Sequence, residues 1–352
     1  MVFTYWQHNM KKVYKKINHT KHLIIIVALG IVGLFTVLVM GNIYYEKIYP
    51  VSSSVQFGVT FSPYYAQDLG QDWKTTYLSL IQDLKVKNIR LNSYWDIIQP
   101  APTQFNFQDL DYMFDLASKN NVKVLLIVGI KQSRWPECRI PGWAKELSLG
   151  ERRQKNLEFI EKVITRYQNN SSLWAYQVEN EPLLNYGHAC DPHDRDYLKQ
   201  EVQFVKKLDP RKPIILTDSG ELRFWRTPMQ LADIFGTTLY RETYNPILGY
   251  FYWPLPPAFY NFKSSLITKI FAQGIQKTII VELQTEPWLP QEPAKIPVED
   301  QIEIFDLDNF KNNVEFARRT GFDTTILWGV EWWYYMSSKN HPEYLEYAKT
   351  LF

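Results

Sequence analysis

The chain has 352 residues, 45% of them hydrophobic, so it is long enough to bury a large core as one or two domains. Its 39 basic and 37 acidic residues nearly balance, and it carries neither a basic stripe nor a glycine-rich phosphate loop. These features argue against binding to nucleic acid or to other polyanions.

The first 45 residues have a composition of their own. Residues 1–21 hold five lysines and no acid, and Leu23 to Tyr45 contains no charged residue. An α-helix of that length spans the hydrocarbon core of a bilayer, about 30 Å thick. The lysines before it predict a cytoplasmic N-terminus, and Tyr44 and Tyr45 are typical interfacial anchors. We therefore expect a transmembrane signal anchor at 23–45.

A cleavable signal peptide is the alternative, but its apolar region is normally shorter and ends in small residues, which residues 41–44 do not provide. The anchor reading divides the chain into a basic cytoplasmic segment (1–22), the anchor, a tether (46–54) and an extracytoplasmic domain (55–352). Removing the five lysines from 39 basic residues leaves 34 against 37 acidic ones, so the remainder carries about −3.

After residue 54, apolar strand-like runs alternate with amphipathic segments. The strand-like runs are 55–62, 88–95, 122–130, 173–181, 213–220, 233–240, 277–284 and 324–333. The helical patterns are 73–86, 107–120, 151–168, 194–208, 263–274 and 306–320. This alternation predicts βαβ units and a parallel sheet. Eight such steps in about 290 residues predict a single (β/α)₈ barrel, an α/β fold, rather than an open sheet.

Functional side chains of such barrels lie at the carboxyl ends of the strands. The predicted ends carry Trp95, Lys131, Gln132, Asn180, Glu181, Asp218, Tyr240, Glu282, Trp328 and Glu331. Two apolar runs stop abruptly at a carboxylate: WAYQVENEP ends in Asn180-Glu181-Pro182, and TIIVELQ contains Glu282. Pro182 cannot donate to a sheet ladder, so the strand stops before it and places Glu181 on the rim. No G-x-S-x-G pattern indicates a serine nucleophile.

These residues resemble clan A of the glycoside hydrolases, retaining enzymes with an Asn-Glu acid/base after strand 4 and a nucleophile on strand 7. Asn180-Glu181 matches the first motif and Ile280-Val281-Glu282 the second. QVENEP, with YWDIIQPAPTQFNFQDLD after strand 2, is similar to the β-galactosidase-like and cellulase-like branches. The resemblance covers residues 55–335.

The resemblance implies specific roles. Glu181 is expected to be the acid/base and Glu282 the nucleophile, with Arg90 and Tyr240 supporting Glu282 and Asn180 binding the sugar 2-hydroxyl. An arginine beside Glu282 would keep it ionised, whereas burial and the second carboxylate would raise the pKa of Glu181. Residues expected to bind substrate are Trp95, Trp288, Trp328 and Glu331.

Several of these residues have a second interpretation. Glu286, four residues after Glu282, competes for the nucleophile role. Glu179 shares the strand parity of Glu181 and could support the site or form a buried ion pair, and Arg90 could be purely structural. Glu331 could bind sugar or be an ordinary strand residue. The tryptophans 95, 288, 328, 332 and 333 could be core, although we expect at least two to line the cleft.

The two cysteines, Cys138 and Cys190, follow predicted strands 3 and 4, and outside the cytoplasm such a pair is expected to form a disulfide. His188, Cys190 and His193, with neighbouring aspartates, could alternatively bind a metal. No metal or other cofactor is expected for the catalysis implied here.

The sequence thus predicts a membrane-anchored, extracytoplasmic retaining hydrolase of β-glycosidic bonds in an oligo- or polysaccharide. Its expected partners are a carbohydrate and, through residues 23–45, a lipid bilayer; no nucleic acid is expected. A transglycosylase with the same residues, or a non-catalytic glycan-binding or scaffold barrel, are the alternatives. The sugar, the linkage, endo or exo action and the oligomeric state do not follow from the sequence.

Overall fold

The computed structural model describes residues 25, 27–33, 35–37, 39–41, 44, 54–185, 190–191, 194–245 and 249–352. It divides the chain into a unit of residues 1–50 and a unit of residues 51–352. In the first unit the described residues of the predicted anchor are helical, with apolar side chains such as Phe35 exposed. No helix among the described residues is both long and apolar enough to cross a membrane. The predicted anchor lies partly outside those residues and stays a prediction.

The second unit is built on eight parallel strands that close into a barrel. The strands are β1 (Gln56–Phe61), β2 (Asn88–Asn92), β3 (Lys123–Val128), β4 (Leu173–Val178), β5 (Ile214–Asp218), β6 (Ile234–Leu239), β9 (Lys277–Gln284) and β10 (Thr324–Trp328). They pair in chain order, and β10 pairs with β1 to close the barrel. β7 (Glu242–Asn245) and β8 (Gly249–Tyr252) form a separate antiparallel hairpin between β6 and β9. The predicted (β/α)₈ fold is confirmed.

Helices connect the strands and pack on the outside of the barrel. Those of seven residues or more in the described chain are Trp73–Gln82, Gln108–Lys119, Leu149–Tyr167, Arg195–Leu208, Pro257–Phe271, Val298–Ile304, Leu307–Arg319, Val330–Ser338 and Glu343–Lys349. Shorter helices are Pro63–Asp68, Trp95–Ile98, Gly142–Lys145, Arg226–Leu231 and the 3₁₀ turn Pro293–Lys295. All six predicted helical segments are present, whereas the hairpin and the short helices were not predicted.

Seven of the eight predicted strands extend past the observed carboxyl ends, and in two of them the excess includes the start of a helix. The second ends at Asn92 rather than at residue 95, and Trp95 begins the short helix Trp95–Ile98. The eighth ends at Trp328 rather than at residue 333, because Gly329 (φ 138°) turns the chain into the helix Val330–Ser338. A side chain at position 329 would come within 2.8 Å of Glu286 Cβ, so glycine is required there.

The barrel interior is apolar at its base and polar toward the carboxyl ends of the strands. A cluster of six side chains fills the apolar part: Leu125, Ala175, Ile215, Ile234, Ile279 and Val281. A much larger cluster joins the outer faces of the strands to the helices. The interior polar layer above the small cluster is where the candidate site lies.

Candidate active site

Glu282 points into the barrel because β9 has a bulge. The register of β9 against β6 shifts between Ile280, opposite Thr237, and Glu282, opposite Thr238. Val281 packs in the interior cluster, and without the bulge the next side chain would face outward. Bulges commonly re-aim side chains beside active sites. Here the bulge lets the side chains of two consecutive residues both point into the barrel, Val281 into the apolar cluster and Glu282 into the candidate site.

Two neighbours fix the carboxylate of Glu282. Arg90 Nη1, on β2, lies 2.7 Å from Glu282 Oε1, and both side chains are buried. The Tyr240 hydroxyl, directly after β6, donates to Glu282 Oε2 at 2.8 Å. A guanidinium and a phenol thus each donate to one oxygen, which sets the orientation of the carboxylate. Both expected neighbours of Glu282 are in place.

Arg90 also orders the strand that leads to Glu181. Its Nε donates to Gln177 Oε1 at 2.8 Å, and its Nη2 donates to Asn180 Oδ1 at 2.6 Å. Because a guanidinium can only donate, these contacts identify the amide oxygens of both side chains. The Asn180 oxygen is therefore engaged, and its Nδ2–H group is the one available to a ligand.

The backbone around Glu181 adopts an uncommon conformation. Glu179 (φ 58°) and Glu181 (φ 43°) are both left-handed, which is rare for residues with long side chains. The Glu179 carboxylate accepts from the backbone N–H groups of Ile130 (2.7 Å) and Lys131. It occupies the space beside Gly129, where a Cβ would come within 2.1 Å of it. Glu179 is thus a buried support that couples the end of β3 to the end of β4.

Lys131 holds the next segment of the same loop. It is buried, and its Nζ donates to the carbonyl oxygens of Glu181 (3.1 Å) and Leu184 (3.0 Å). The same ammonium lies 3.2 Å from Glu137 Oε2. Lys131, which the sequence placed at a strand end, therefore fixes the backbone that carries Glu181.

The Glu181 carboxyl has a different environment from that of Glu282. Burial, followed by the charges of Glu282 and Glu137, raises its pKa well above the ordinary value, against a smaller opposing effect of Lys131. Thr238 Oγ1 donates to Glu181 Oε1 at 3.2 Å and itself accepts from the Gly220 N–H at 3.2 Å. Thr238 is also the residue of β6 that pairs with Glu282 of β9. The side chain that contacts Glu181 therefore comes from the strand position next to Glu282.

Two further buried carboxyls lie near this pair. Burial raises the pKa of Glu137 to about 7, although Lys131 opposes the shift. Burial raises the pKa of Asp218, at the end of β5, to about 6, although Arg223 opposes it. Asp218 and Glu137 both add to the raised pKa of Glu181.

A second cluster, built around one buried arginine, lies on the same rim and was not predicted from the sequence. Arg134 pairs with Glu286 and, through Nη2 at 2.7 Å, with Glu331 Oε2. Its guanidinium lies between the rings of Tyr65 and Trp328, 3.9 and 4.0 Å from their centroids. Glu286, the alternative nucleophile, is thus held in a buried ion pair with Arg134. Arg134 is in a loop at φ 78°, and nothing in its sequence context indicated this.

The structure corrects the prediction for two of the substrate-binding candidates. Trp95 is fully buried, stacks on Phe159, and donates from Nε1 to Gln99, so it is a core residue. Glu331 is also fully buried and accepts from the Ser62 N–H at 2.6 Å as well as from Arg134. Both predictions failed because the preceding strands end earlier than the apolar runs do.

The remaining tryptophans divide between cleft and core. Trp288 is partly exposed, with its ring 5.1 Å from that of Tyr240, and Trp328 is partly exposed with Arg134 over one face. Trp332 and Trp333 are fully buried. Trp288 and Trp328 are therefore partly accessible beside site residues, which is consistent with the predicted role in the cleft.

Cys138 and Cys190 form a disulfide with a Cα–Cα distance of 5.1 Å. Of the other proposed metal ligands, His188 and His193 lie outside the described residues. Asp191 pairs with Arg152, and Asp194 caps the helix Arg195–Leu208. Among the described residues there is no group of three potential ligands that could hold a metal ion.

Comparison with known families explains this arrangement. Residues 52–241 match the family model described as "Cellulase (glycosyl hydrolase family 5)". The matched range contains Arg90, Asn180, Glu181 and Tyr240. The chain belongs to glycoside hydrolase family 5. It is therefore a retaining glycoside hydrolase of clan A, as the sequence motifs implied. No curated protein matches the sequence significantly.

Solved structures with the same fold are distant in sequence. A GH5_18 protein from Bifidobacterium longum subsp. longum ATCC 55813 is 12% identical with a TM-score of 0.57, over 78% of this chain and 70% of that one. A variant of it, solved in complex with Manb1-4GlcNAc, has a TM-score of 0.56 at 12% identity, over 78% and 68%. A psychrophilic family 10 endo-beta-1,4-xylanase is 15% identical with a TM-score of 0.50, over 81% and 87%. These similarities establish the fold alone.

Proposed function

We propose that this family 5 hydrolase cleaves β-glycosidic bonds by double displacement, with Glu282 as nucleophile and Glu181 as acid/base. The observation that carries the proposal is the contrast between the two carboxylates. Glu282 is held by a cation and a phenol, whereas Glu181 is buried beside other carboxyls with a raised pKa. A retaining enzyme needs one ionised and one protonated carboxyl group in this way.

In the first step, a Glu282 oxygen attacks the anomeric carbon while the bond to the leaving oxygen breaks and Glu181 gives that oxygen its proton. In the second step, Glu181 takes a proton from water, whose oxygen attacks the same carbon and releases the Glu282 carboxylate. Configuration is retained because the anomeric centre inverts twice.

Hydrogen bonds around Glu181 determine which oxygen carries the proton. Thr238 accepts from Gly220, so its single hydroxyl proton is directed to Glu181 Oε1. Oε1 is then the acceptor of the neutral acid and Oε2 holds the transferable proton. The Asn180 Nδ2–H group, left available by Arg90, donates to the sugar 2-hydroxyl as that contact strengthens in the transition state.

The proposal extends to substrate and location. The complex of the Bifidobacterium protein with Manb1-4GlcNAc supports a β-linked substrate.

The lysine-rich head and the uncharged run Leu23–Tyr45 support a membrane anchor with the catalytic domain outside the cytoplasm. Protease added to intact cells should then remove the domain and spare an N-terminal tag. Degradation of that tag from outside would reject this topology.

Azide rescue tests the two catalytic roles. Glu282→Gly should lower turnover of an activated aryl β-glycoside by orders of magnitude, and azide should restore it with an α-configured glycosyl azide as product. Glu181→Ala should retain more of the first step with the same substrate, because an activated leaving group needs little acid assistance. Azide should then give the β-configured product. Rescue at Glu286→Gly with a near-normal Glu282→Gly enzyme would overturn the assignment.

A further inference from the structure

An aromatic hairpin rises from the catalytic rim directly after Tyr240. Residues 242–253 contain five aromatic side chains, and β7 pairs with β8 through Glu242–Tyr252 and Tyr244–Tyr250. Residues directly opposite each other, and residues two apart on one strand, share a face of a sheet. Tyr244, Tyr250 and Tyr252 therefore lie on the same face. We call these three side chains the tyrosine face.

The base of the hairpin is fixed relative to the proposed nucleophile. The side chain of Gln284, two residues after Glu282, accepts from the backbone N–H groups of Arg241 (2.9 Å) and Glu242 (3.0 Å). Its amide group donates back to the Glu242 carbonyl at 2.8 Å. Gln284 is fully buried, so three hydrogen bonds of one side chain hold the hairpin to the end of β9.

Arg241 keeps the second strand in place. Its guanidinium donates to the Tyr252 hydroxyl and to the Leu255 carbonyl, both at 2.8 Å, and lies 3.9 Å from the ring centroid of Phe316 on the barrel. An isolated two-stranded hairpin is only marginally stable in water. These contacts supply the order that the hairpin lacks by itself, so its side chains are presented in a preorganised arrangement.

The tyrosine face is exposed, and it is not part of the core. Tyr250 is 38% exposed and Tyr252 is 58% exposed. Flat aromatic rings with hydroxyl groups pack against the C–H faces of pyranose rings and lose little conformational entropy on binding. Tyr244 follows Tyr240 by four residues, so the chain between them can span at most about 14 Å. A short oligosaccharide extending from Glu282 spans that distance.

We propose that the tyrosine face is a binding subsite for sugar units of a β-linked glycan outside the sugar bound at Glu181 and Glu282. This inference rests on the proposed function, because it requires cleavage beside Glu282. It implies that the natural substrate is a chain longer than a disaccharide. Continuity with the catalytic rim through Gln284 favours a glycan over a protein partner on this face.

The test compares a substrate that fills only the cleavage site with substrates that extend beyond it. The full-length chain is assayed on aryl β-glycosides and on soluble β-1,4-glucan, β-1,4-mannan and β-1,4-xylan. For the polysaccharide that wild type cleaves, Tyr250→Ala should lower kcat/KM at least tenfold more than it lowers kcat/KM for the aryl glycoside. Tyr250→Phe and Tyr250→Trp, which keep a ring, should retain most polysaccharide activity.

Phe262→Ala is the matched control, because Phe262 is 65% exposed on the outer helix Pro257–Phe271. It should leave both activities unchanged. Equal losses on both substrates for Tyr250→Ala, or a wild type that cleaves aryl glycosides but none of the polysaccharides, would overturn the subsite. A wild type that cleaves no aryl β-glycoside and no polysaccharide would instead reject the proposed function.

Discussion

Two buried arginines on the same barrel rim have different surroundings. Arg90 contacts one carboxylate and two amide oxygens, all on strands or directly after them. Arg134 contacts two carboxylates and two aromatic rings, which belong to one loop, two helices and one strand end. The first arrangement leaves Glu282 at the polar end of the barrel beside Glu181. The second pairs both of its carboxylates, Glu286 and Glu331, with Arg134. Proximity to a buried arginine therefore does not by itself identify a catalytic carboxylate.

The largest expected difference between the two clusters is in turnover. Glu282→Gln should lower kcat on an aryl β-glycoside at least about 10⁴-fold, since it removes the proposed nucleophile. Glu286→Gln should change kcat less than tenfold but lower the free energy of unfolding by about 3 kcal/mol, because it breaks a buried pair. Steady-state kinetics and urea unfolding of both variants measure this. A larger kcat loss at 286 than at 282 would contradict the comparison.

Removing each arginine should separate stability from catalysis. Arg90→Met and Arg134→Met should each cost about 3–5 kcal/mol of unfolding free energy, because both leave buried carboxylates unpaired. Only Arg90→Met should also lower kcat of the folded enzyme about 10²-fold or more. Arg90→Lys and Arg134→Lys keep the charge but lose the planar set of donors, so they separate the effect of charge from that of the directed hydrogen bonds. Equal kcat losses in the two series would show that Arg134 also acts in catalysis.

The disulfide should matter mainly for the loop that carries Arg134. Cys138 and Cys190 enclose 52 residues, so Cys138→Ser with Cys190→Ser should lower the free energy of unfolding by about 2–4 kcal/mol. Because Arg90 and Glu282 are on strands, kcat below the unfolding transition should change little. Thermal unfolding with and without reductant gives an independent measurement. An unchanged melting temperature would contradict the structure at this loop.

The smallest expected effect is on the pH dependence. Under the proposed assignment Glu181 acts as an acid only while protonated, so activity on a substrate with a poor leaving group should fall as pH rises through its raised pKa. Thr238→Val removes a donor that stabilises the ionised form, which raises this pKa further. The alkaline limb should therefore move to higher pH, with a severalfold lower kcat. Thr238→Ser should restore the wild-type profile, and an alkaline limb that moves downward in Thr238→Val would contradict the hydrogen-bond assignment.

The residues around Arg90 were predicted from the sequence, whereas the cluster around Arg134 was not. Strand ends can be located from apolar runs, so Glu181, Tyr240 and Glu282 were placed on one rim, whereas Arg90 was named only because of the family resemblance. Trp95 was misplaced because the apolar run continues into a helix. Arg134 was missed because its position depends on a loop conformation that no local pattern encodes.

The hairpin escaped prediction for a related reason. Its strands are four residues each, and the side chain that holds their base is Gln284, 42 residues further along the chain than Glu242. Likewise, the inward–outward alternation of side chains along a strand would place only one of Val281 and Glu282 inside the barrel. The bulge in β9 places both there. Short elements stabilised by distant side chains leave little trace in local composition.

Covalent trapping tests the central assignment most directly. Activated 2-deoxy-2-fluoro β-glycosides of the gluco and manno series slow both steps and should leave a glycosyl ester on the nucleophile of the full-length enzyme. Peptide mapping by mass spectrometry should then find the added sugar on Glu282. A label on Glu286, or a reaction product of inverted configuration with no label, would contradict the account.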